Sequence, residues 1–259
     1  MKEKAYALFI YFFIVVTMFT VIIALLMVYG QFNTQNDITT GVILEESVDI
    51  DNEYLDKIIF LGESTTYGLK HYGVLSGGVN TTQVWTGGKI ENGIAKTTGT
   101  LSLSPNIANA KIFYPDTNEI MDIKSAIKLK SPEYLIITLG LNNGVSYYNE
   151  QEFKDCYSLL IESINSCPSP PKIILQSIFP VSRKCAIQAF TPEKITKCNT
   201  WILELAEAYN VKYLNTFEIL CDADGYLFES YENGDGIHLN KEGLVAVVNY
   251  IKHHGYCGE

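Results

Sequence analysis

The chain has 259 residues, 47% of them hydrophobic, and a formal net charge of −10. That apolar content suffices for the core of one α/β domain plus additions, while the acidic balance repels phosphate backbones and argues against a nucleic-acid partner. There is no Cys-x-x-Cys or His-x-x-x-His pair, so a zinc site has no support, and neither a metal nor a cofactor is expected.

Residues 1–4 carry Lys2 and Lys4, and Ala5–Tyr29 is an apolar run without a charge. As a helix rising about 1.5 Å per residue, this run would be roughly 38 Å long, enough to cross a bilayer core of about 30 Å with some tilt. It exceeds the apolar region of about 7–15 residues found in a cleaved signal peptide, and Val28-Tyr29-Gly30-Gln31 lacks a small-x-small cleavage pattern. An uncleaved transmembrane anchor is therefore expected at 5–29. With the next basic residue at Lys57, the positive-inside rule puts the N-terminus in the cytoplasm and the rest outside the cell. Residues 30–56 are polar and acidic without Lys or Arg, and read as a solvated stalk. The folded domain is expected over 57–259.

Lys57–Leu69, KIIFLGESTTYGL, begins as a buried strand at Ile58–Leu61, breaks at Gly62 and enters a helix just after Ser64. A Ser in this turn can cap the helix. It can also serve as a reactive group at the carboxyl end of a parallel sheet, beside the helix's free N–H groups. Further apolar runs at Tyr134–Leu139, Lys172–Ile178 and Val211–Leu214 predict strands. Helical spacing joins Phe153, Tyr157, Leu160, Ile161 and Ile164, then Ile195, Cys198, Ile202, Leu205 and Tyr209, and last Leu244, Val247, Val248 and Ile251. Apolar strands alternating with one-faced helices imply an α/β fold with a parallel sheet covered on both sides. Gly73–Asn118 is Gly-rich and reads either as a substrate-binding excursion or as irregular structure, with short candidate strands at Gln83–Trp85 and Leu101–Leu103. It holds no phosphate-loop or dinucleotide fingerprint.

Three loops carry the chemistry. Ser64 follows the first strand, Gly140-Leu141-Asn142-Asn143-Gly144 follows the Tyr134 strand, and Gly234-Asp235-Gly236-Ile237-His238 precedes the last helix. Ester hydrolysis needs a hydroxyl, a neutral His to take its proton, a carboxylate to orient that His, and amide donors for the oxyanion. In these residues the chain resembles the SGNH/GDSL hydrolase family. Gly62-Glu63-Ser64 is similar to its GDSL block, Gly140-Leu141-Asn142-Asn143 to its G-x-N-D block, and Asp235-Gly236-Ile237-His238 to its D-x-x-H block, in the family's order over roughly Lys57–Tyr256.

The resemblance implies a three-layer flavodoxin-like fold, with Ser64 as nucleophile, His238 as base and Asp235 orienting His238. It also implies Asn142 and the Ser64 N–H as oxyanion donors. The family's oxyanion glycine has no single match, and Gly87, Gly88 and Gly99 are the candidates. Glu63 stands where the family usually has Asp, and Asn143 replaces the Asp of its G-x-N-D block. His71, His253 and His254 lack an acidic companion and are expected to be exposed. Asp222 and Asp224 precede Gly225 and suit a turn. Trp85, Tyr72 and Tyr114 could stack on a sugar or pack in the core. Of the six cysteines, Cys156 and Cys198 lie on or beside apolar helix faces, which favours buried thiols. Cys185 and Cys198 are the pair to test for a bridge.

The expected activity is that of a membrane-anchored extracytoplasmic serine esterase removing small acyl groups from a cell-surface glycan. A lipase or thioesterase and a silent glycan-binding protein are the alternatives.

Overall fold

The first strand, β1 (Ile58–Gly62), is buried at all five positions. A strand with both faces covered needs apolar side chains throughout, and IIFLG supplies them. In the computed structural model, which describes residues 41–48 and 52–256, β1 pairs in parallel with β7 (Tyr134–Thr138), from Ile58 opposite Tyr134 to Gly62 opposite Thr138. On its other side lies β2 (Val84–Trp85), with Phe60 opposite Val84. β8 (Lys172–Gln176) and β9 (Lys212–Leu214) extend the sheet beyond β7.

The order β2-β1-β7-β8-β9 is all parallel. Counted as parallel strands in chain order it is 2-1-3-4-5, the doubly wound order of flavodoxin-like folds. The winding reverses between β1 and β7. The loops leaving their carboxyl ends therefore diverge and open a crevice, and Ser64 and Asn142 are carried on those two loops.

Because side chains alternate along a strand, the sheet divides two cores. Ile59, Leu61, Leu135, Ile137, Ile173 and Leu175 face one way. They pack with residues of α3 (Ile123–Lys130), α5 (Glu150–Asn165) and α6 (Pro192–Tyr209), including Ile127, Phe153, Tyr157 and Ile202. Ile58, Phe60, Ile136 and Ile174 face the other way, into a core shared with α1 (Asn52–Asp56), α2 (Ser64–His71) and α8 (Lys241–His253), through Leu55, Leu69, Leu244 and Val247. The longer helices start where side chains satisfy their free N–H groups. Asn149 and Glu152 form a capping box on α5, Thr191 caps α6 just before Pro192, and Asn240 caps α8.

The Gly-rich excursion is more ordered than expected. β2 joins the main sheet, while β3 (Gly88–Glu91) with β4 (Ile94–Thr97) and β5 (Lys111–Tyr114) with β6 (Glu119–Asp122) form two antiparallel hairpins. Asn92 and Gly93 both have positive φ, 50° and 77°, as a tight two-residue hairpin turn requires. Leu101–Leu103 is not a strand, although Leu101 and Leu103 are buried.

Two other expectations are corrected, and one open reading is decided. The compact unit begins at Val42 rather than Lys57. Val42 and Leu44 are buried, the Leu44 N–H donates to the Tyr213 carbonyl at 2.9 Å, and α1 buries Tyr54 and Leu55. The apolar residues inside the acidic stretch thus outweigh its charge. His254 is buried and stacked on Tyr250 with ring centroids 3.7 Å apart, because the last turn of α8 folds it inward. Of the two readings open for Trp85 and Tyr114, core packing holds: both are buried, in edge-to-face contact.

Asp222 makes the expected turn, accepting the N–H groups of Asp224 and Tyr226. The five described cysteines are free, with Cys156, Cys167 and Cys198 buried, so Cys185 and Cys198 are not bridged. Among the described residues no helix is long and apolar enough to cross a membrane, and Ala5–Tyr29 lies outside them.

Gly62 sits where β1 turns toward Ser64. A Cβ there would overlap Thr66 Oγ1 and lie 2.5 Å from the Thr138 carbonyl oxygen, a backbone atom that cannot swing aside. Gly62→Ala should therefore destabilise the domain by about 1–3 kcal/mol. Chemical denaturation checks this, and an unchanged midpoint would refute the close packing.

Candidate active site

Ser64 is the first residue of α2, following Glu63 at the N-cap position, so its N–H is one of the helix-start donors without an intrahelical acceptor. Its Oγ lies 2.8 Å from His238 Nε2, and His238 Nδ1 lies 2.7 Å from Asp235 Oδ2. The expected trio is thus assembled across 174 residues of sequence.

The loop carrying His238 is built from its own polar groups. Asp235 Oδ1 accepts the N–H groups of Ile237 and His238, both at 2.8 Å, which leaves Oδ2 for the imidazole. The Glu232 carboxylate accepts the N–H groups of Gly234 and Gly236. Gly236, at φ +84°, passes so close to Cys185 that a Cβ would stand 2.8 Å from the Cys185 backbone. Partial burial pushes the Asp235 pKa up, but the His238 and Ile237 N–H groups and the His238 ring outweigh it and hold it down at about 2. An ionised Asp235 accepts the Nδ1 proton and leaves the Nε2 lone pair facing the Ser64 hydroxyl.

Asn142 lies on the loop after β7. Its N–H donates to Glu63 Oε2 at 2.8 Å, and the Leu141 N–H donates to Glu63 Oε1 at 3.0 Å. Its side-chain Nδ2 donates to Thr100 Oγ1 at 2.9 Å. Asn143, in place of an acid, takes φ +69° and donates its amide to the Leu103 carbonyl.

The three candidate glycines separate clearly. The Gly87 N–H is bound to the Thr100 carbonyl. Gly88 is packed against Ile112 and Phe113. Gly99, at φ +71°, gives its N–H to Thr97 Oγ1 and faces the Tyr67 ring of α2. Gly99 thus faces a side chain of the helix that Ser64 begins, although its N–H is already engaged.

A cavity of about 190 Å³ opens beside Ser64, lined by Thr65, Tyr67, Gly68, His71, Tyr72, Asn233, His238 and Leu239. His71 and Tyr72 meet edge to face at 4.8 Å within it. Among the described residues no cluster of His, Cys, Asp and Glu is arranged to hold a metal ion. Asn233, Tyr67, Thr100 and the bonds of Glu63 were not singled out from sequence. Glu63 alone left a signal, as a departure at a motif position.

Residues 60–244 match the GDSL-like lipase/acylhydrolase family. The chain belongs to this family and is an ester-hydrolysing enzyme. No curated protein sequence matches it. Among solved structures it is similar to a candidate platelet activating factor from Streptococcus pneumonia, at 20% identity over 89% of this chain and 97% of that one, with a TM-score of 0.52. It is also similar to a candidate lipolytic protein of the G-D-S-L family from Desulfitobacterium hafniense DCB-2, at 15% identity over 75% of this chain and 97% of that one, with a TM-score of 0.52. At such identities these likenesses show the fold.

Complete burial pushes the Glu63 pKa from an ordinary 4.5 up to about 8, against the pull of the Asn142 and Leu141 N–H groups. From α5, Tyr157 faces this region with its hydroxyl on the Leu139 backbone, and burial keeps it neutral. Between pH 4.5 and about 8 the unfolded chain has lost the Glu63 proton while the folded one keeps it. Glu63's contribution to stability therefore falls as pH rises through that window and levels off above it. Thermal melts of wild type and Glu63→Gln from pH 4.5 to 9 should show wild type losing ground to the variant up to about 8 and none beyond. A constant difference across the window would refute the raised pKa.

Proposed function

We propose that this protein is a membrane-anchored, extracytoplasmic serine esterase that removes small acyl groups, acetyl foremost, from a glycan. The observation carrying the proposal is the hydrogen-bonded line Ser64–His238–Asp235 at the mouth of a small cavity. In the mechanism, His238 Nε2 takes the Ser64 proton as Oγ attacks the acyl carbonyl. Asp235 fixes the imidazole and offsets the charge it gains. The oxyanion is met by the Ser64 N–H and the Asn142 side-chain amide. His238 then protonates the departing alcohol, leaving an acyl-enzyme on Ser64. A water deprotonated by His238 attacks that ester, and the acid leaves as Ser64 regains its proton.

The size of the cavity, about 190 Å³, supports a short acyl group. The Tyr72 and His71 rings and the Asn233 amide along its wall suit a polar ring-shaped alcohol better than a long alkyl chain. The uncharged Ala5–Tyr29 run with Lys2 and Lys4 before it supports the anchor and its orientation.

Ser64→Ala and His238→Ala should abolish hydrolysis of 4-nitrophenyl acetate in folded protein, and Asp235→Asn should slow it by about 10⁴. Activity surviving in Ser64→Ala would mean another nucleophile. On aryl esters of increasing length, acetate should turn over faster than butyrate, with little turnover of octanoate. Octanoate above acetate would replace the glycan deacetylase by a lipase. A fluorophosphonate that fails to label Ser64 would leave only a silent binding protein. Protease added to intact cells should release the domain, and a soluble secreted form starting near Gln31 would overturn the anchor.

A further inference from the structure

Glu63 is 1% exposed and sits in the turn between β1 and α2, immediately before Ser64. It does not cap α2 with its side chain. Both of its oxygens instead reach across the switch point to backbone donors 78 and 79 residues further along the chain, at 3.0 and 2.8 Å. Those donors lie in a loop that no ladder holds, between Gly140 at φ +125° and Asn143 at φ +69°. Without Glu63 the Leu141 and Asn142 N–H groups would lose their acceptors, and a buried donor without one is costly.

We propose that Glu63 is a positioning residue: its carboxyl fixes the Leu141–Asn142 backbone so that the Asn142 side-chain amide is aimed at the oxyanion. The inference rests on the reading of Asn142 as an oxyanion donor. Asn142 then has two anchors, Glu63 on its main-chain nitrogen and Thr100 Oγ1 on Nδ2. An amide nitrogen has two hydrogens. With one on Thr100, the direction of the other follows from where the Asn142 backbone is pinned. A neutral carboxyl keeps lone pairs on both oxygens and can serve both N–H groups. The burial that pushes Glu63 up to about 8 supports that form at neutral pH. Glutamine fails, because its NH₂ must face one of the two N–H donors.

The test is a double-mutant cycle on the full-length protein with 4-nitrophenyl acetate, reading kcat and KM separately. Glu63→Gln should lower kcat by about 10- to 100-fold through misplacement of one donor, with KM within about twofold of wild type. Asn142→Ala should lower kcat by about 10²–10³. The double variant should be no slower than Asn142→Ala within about twofold, because the amide that Glu63 aims is already gone. Glu63→Asp keeps an acceptor pair on a shorter arm and should recover part of the lost rate. It takes the place of the Gln variant in the cycle if thermal melting shows the latter unfolded. Multiplicative losses in the double variant, or a wild-type kcat in Glu63→Gln, would overturn the proposal while leaving the Asn142 reading intact. A wild-type kcat in Asn142→Ala would overturn both.

Discussion

The parallel pairing of β1 with β7 is the constraint on which the site depends. Five residue pairs lock Ile58–Gly62 beside Tyr134–Thr138, so both strands end level with each other. The winding reverses between them, so neither following loop is covered by the crossover of the other. Ser64 comes two residues past the end of β1 and Asn142 four past the end of β7. A one-residue slip of this register would turn Ile59 and Leu61 from one core into the other. The two cores therefore fix the spacing of the site as firmly as they fix the sheet.

His238 arrives by a different route. It comes from a loop whose shape is set by side chains accepting nearby backbone N–H groups: Asp235 takes two, Glu232 takes two, and Asn240 caps the helix that follows. Asp235 thus shapes the loop with one oxygen and orients the imidazole with the other. The Asp-x-x-His spacing has a physical reason in this turn. A carboxylate that accepts the N–H groups two and three residues later is already in the turn that brings the His ring back to it.

What was legible in the sequence follows this division. Strands buried on both faces announce themselves as unbroken apolar runs, as β1, β7 and β8 did, and the long helices showed their faces through spacing. Ser64, Asp235 and His238 stood out because each local motif carries its own turn chemistry. The hairpins β3–β4 and β5–β6 did not stand out: β3–β4 exposes Ile90 and Ile94 along with Lys89 and Lys96, so no apolar alternation marks a buried face there, and both lie in a Gly- and Thr-rich stretch. Val42 and Leu44 were hidden in an acidic segment, and only the Tyr213 backbone opposite shows why they are buried. Thr100 left no trace, since its partner Asn142 is 42 residues away and nothing local marks the pair.

Two carboxyls near Ser64 illustrate how environment assigns charge. Asp235 is partly exposed, has three hydrogen-bond donors, and is held at about 2, so it is ionised beside an imidazole that becomes positive in the proposed mechanism. Glu63 is buried with two backbone donors and is raised to about 8, so it is uncharged at neutral pH beside the proposed oxyanion donor. The opposite assignment would oppose both steps. Two unit charges 4 Å apart at an effective dielectric of about 20 interact by about 4 kcal/mol, and even a fraction of that set against a forming oxyanion would cancel much of what one donor contributes. Burial of Glu63 removes that conflict while keeping its acceptors. The usual objection to a buried acid, the cost of its charge, applies here only above the pH at which the proton leaves.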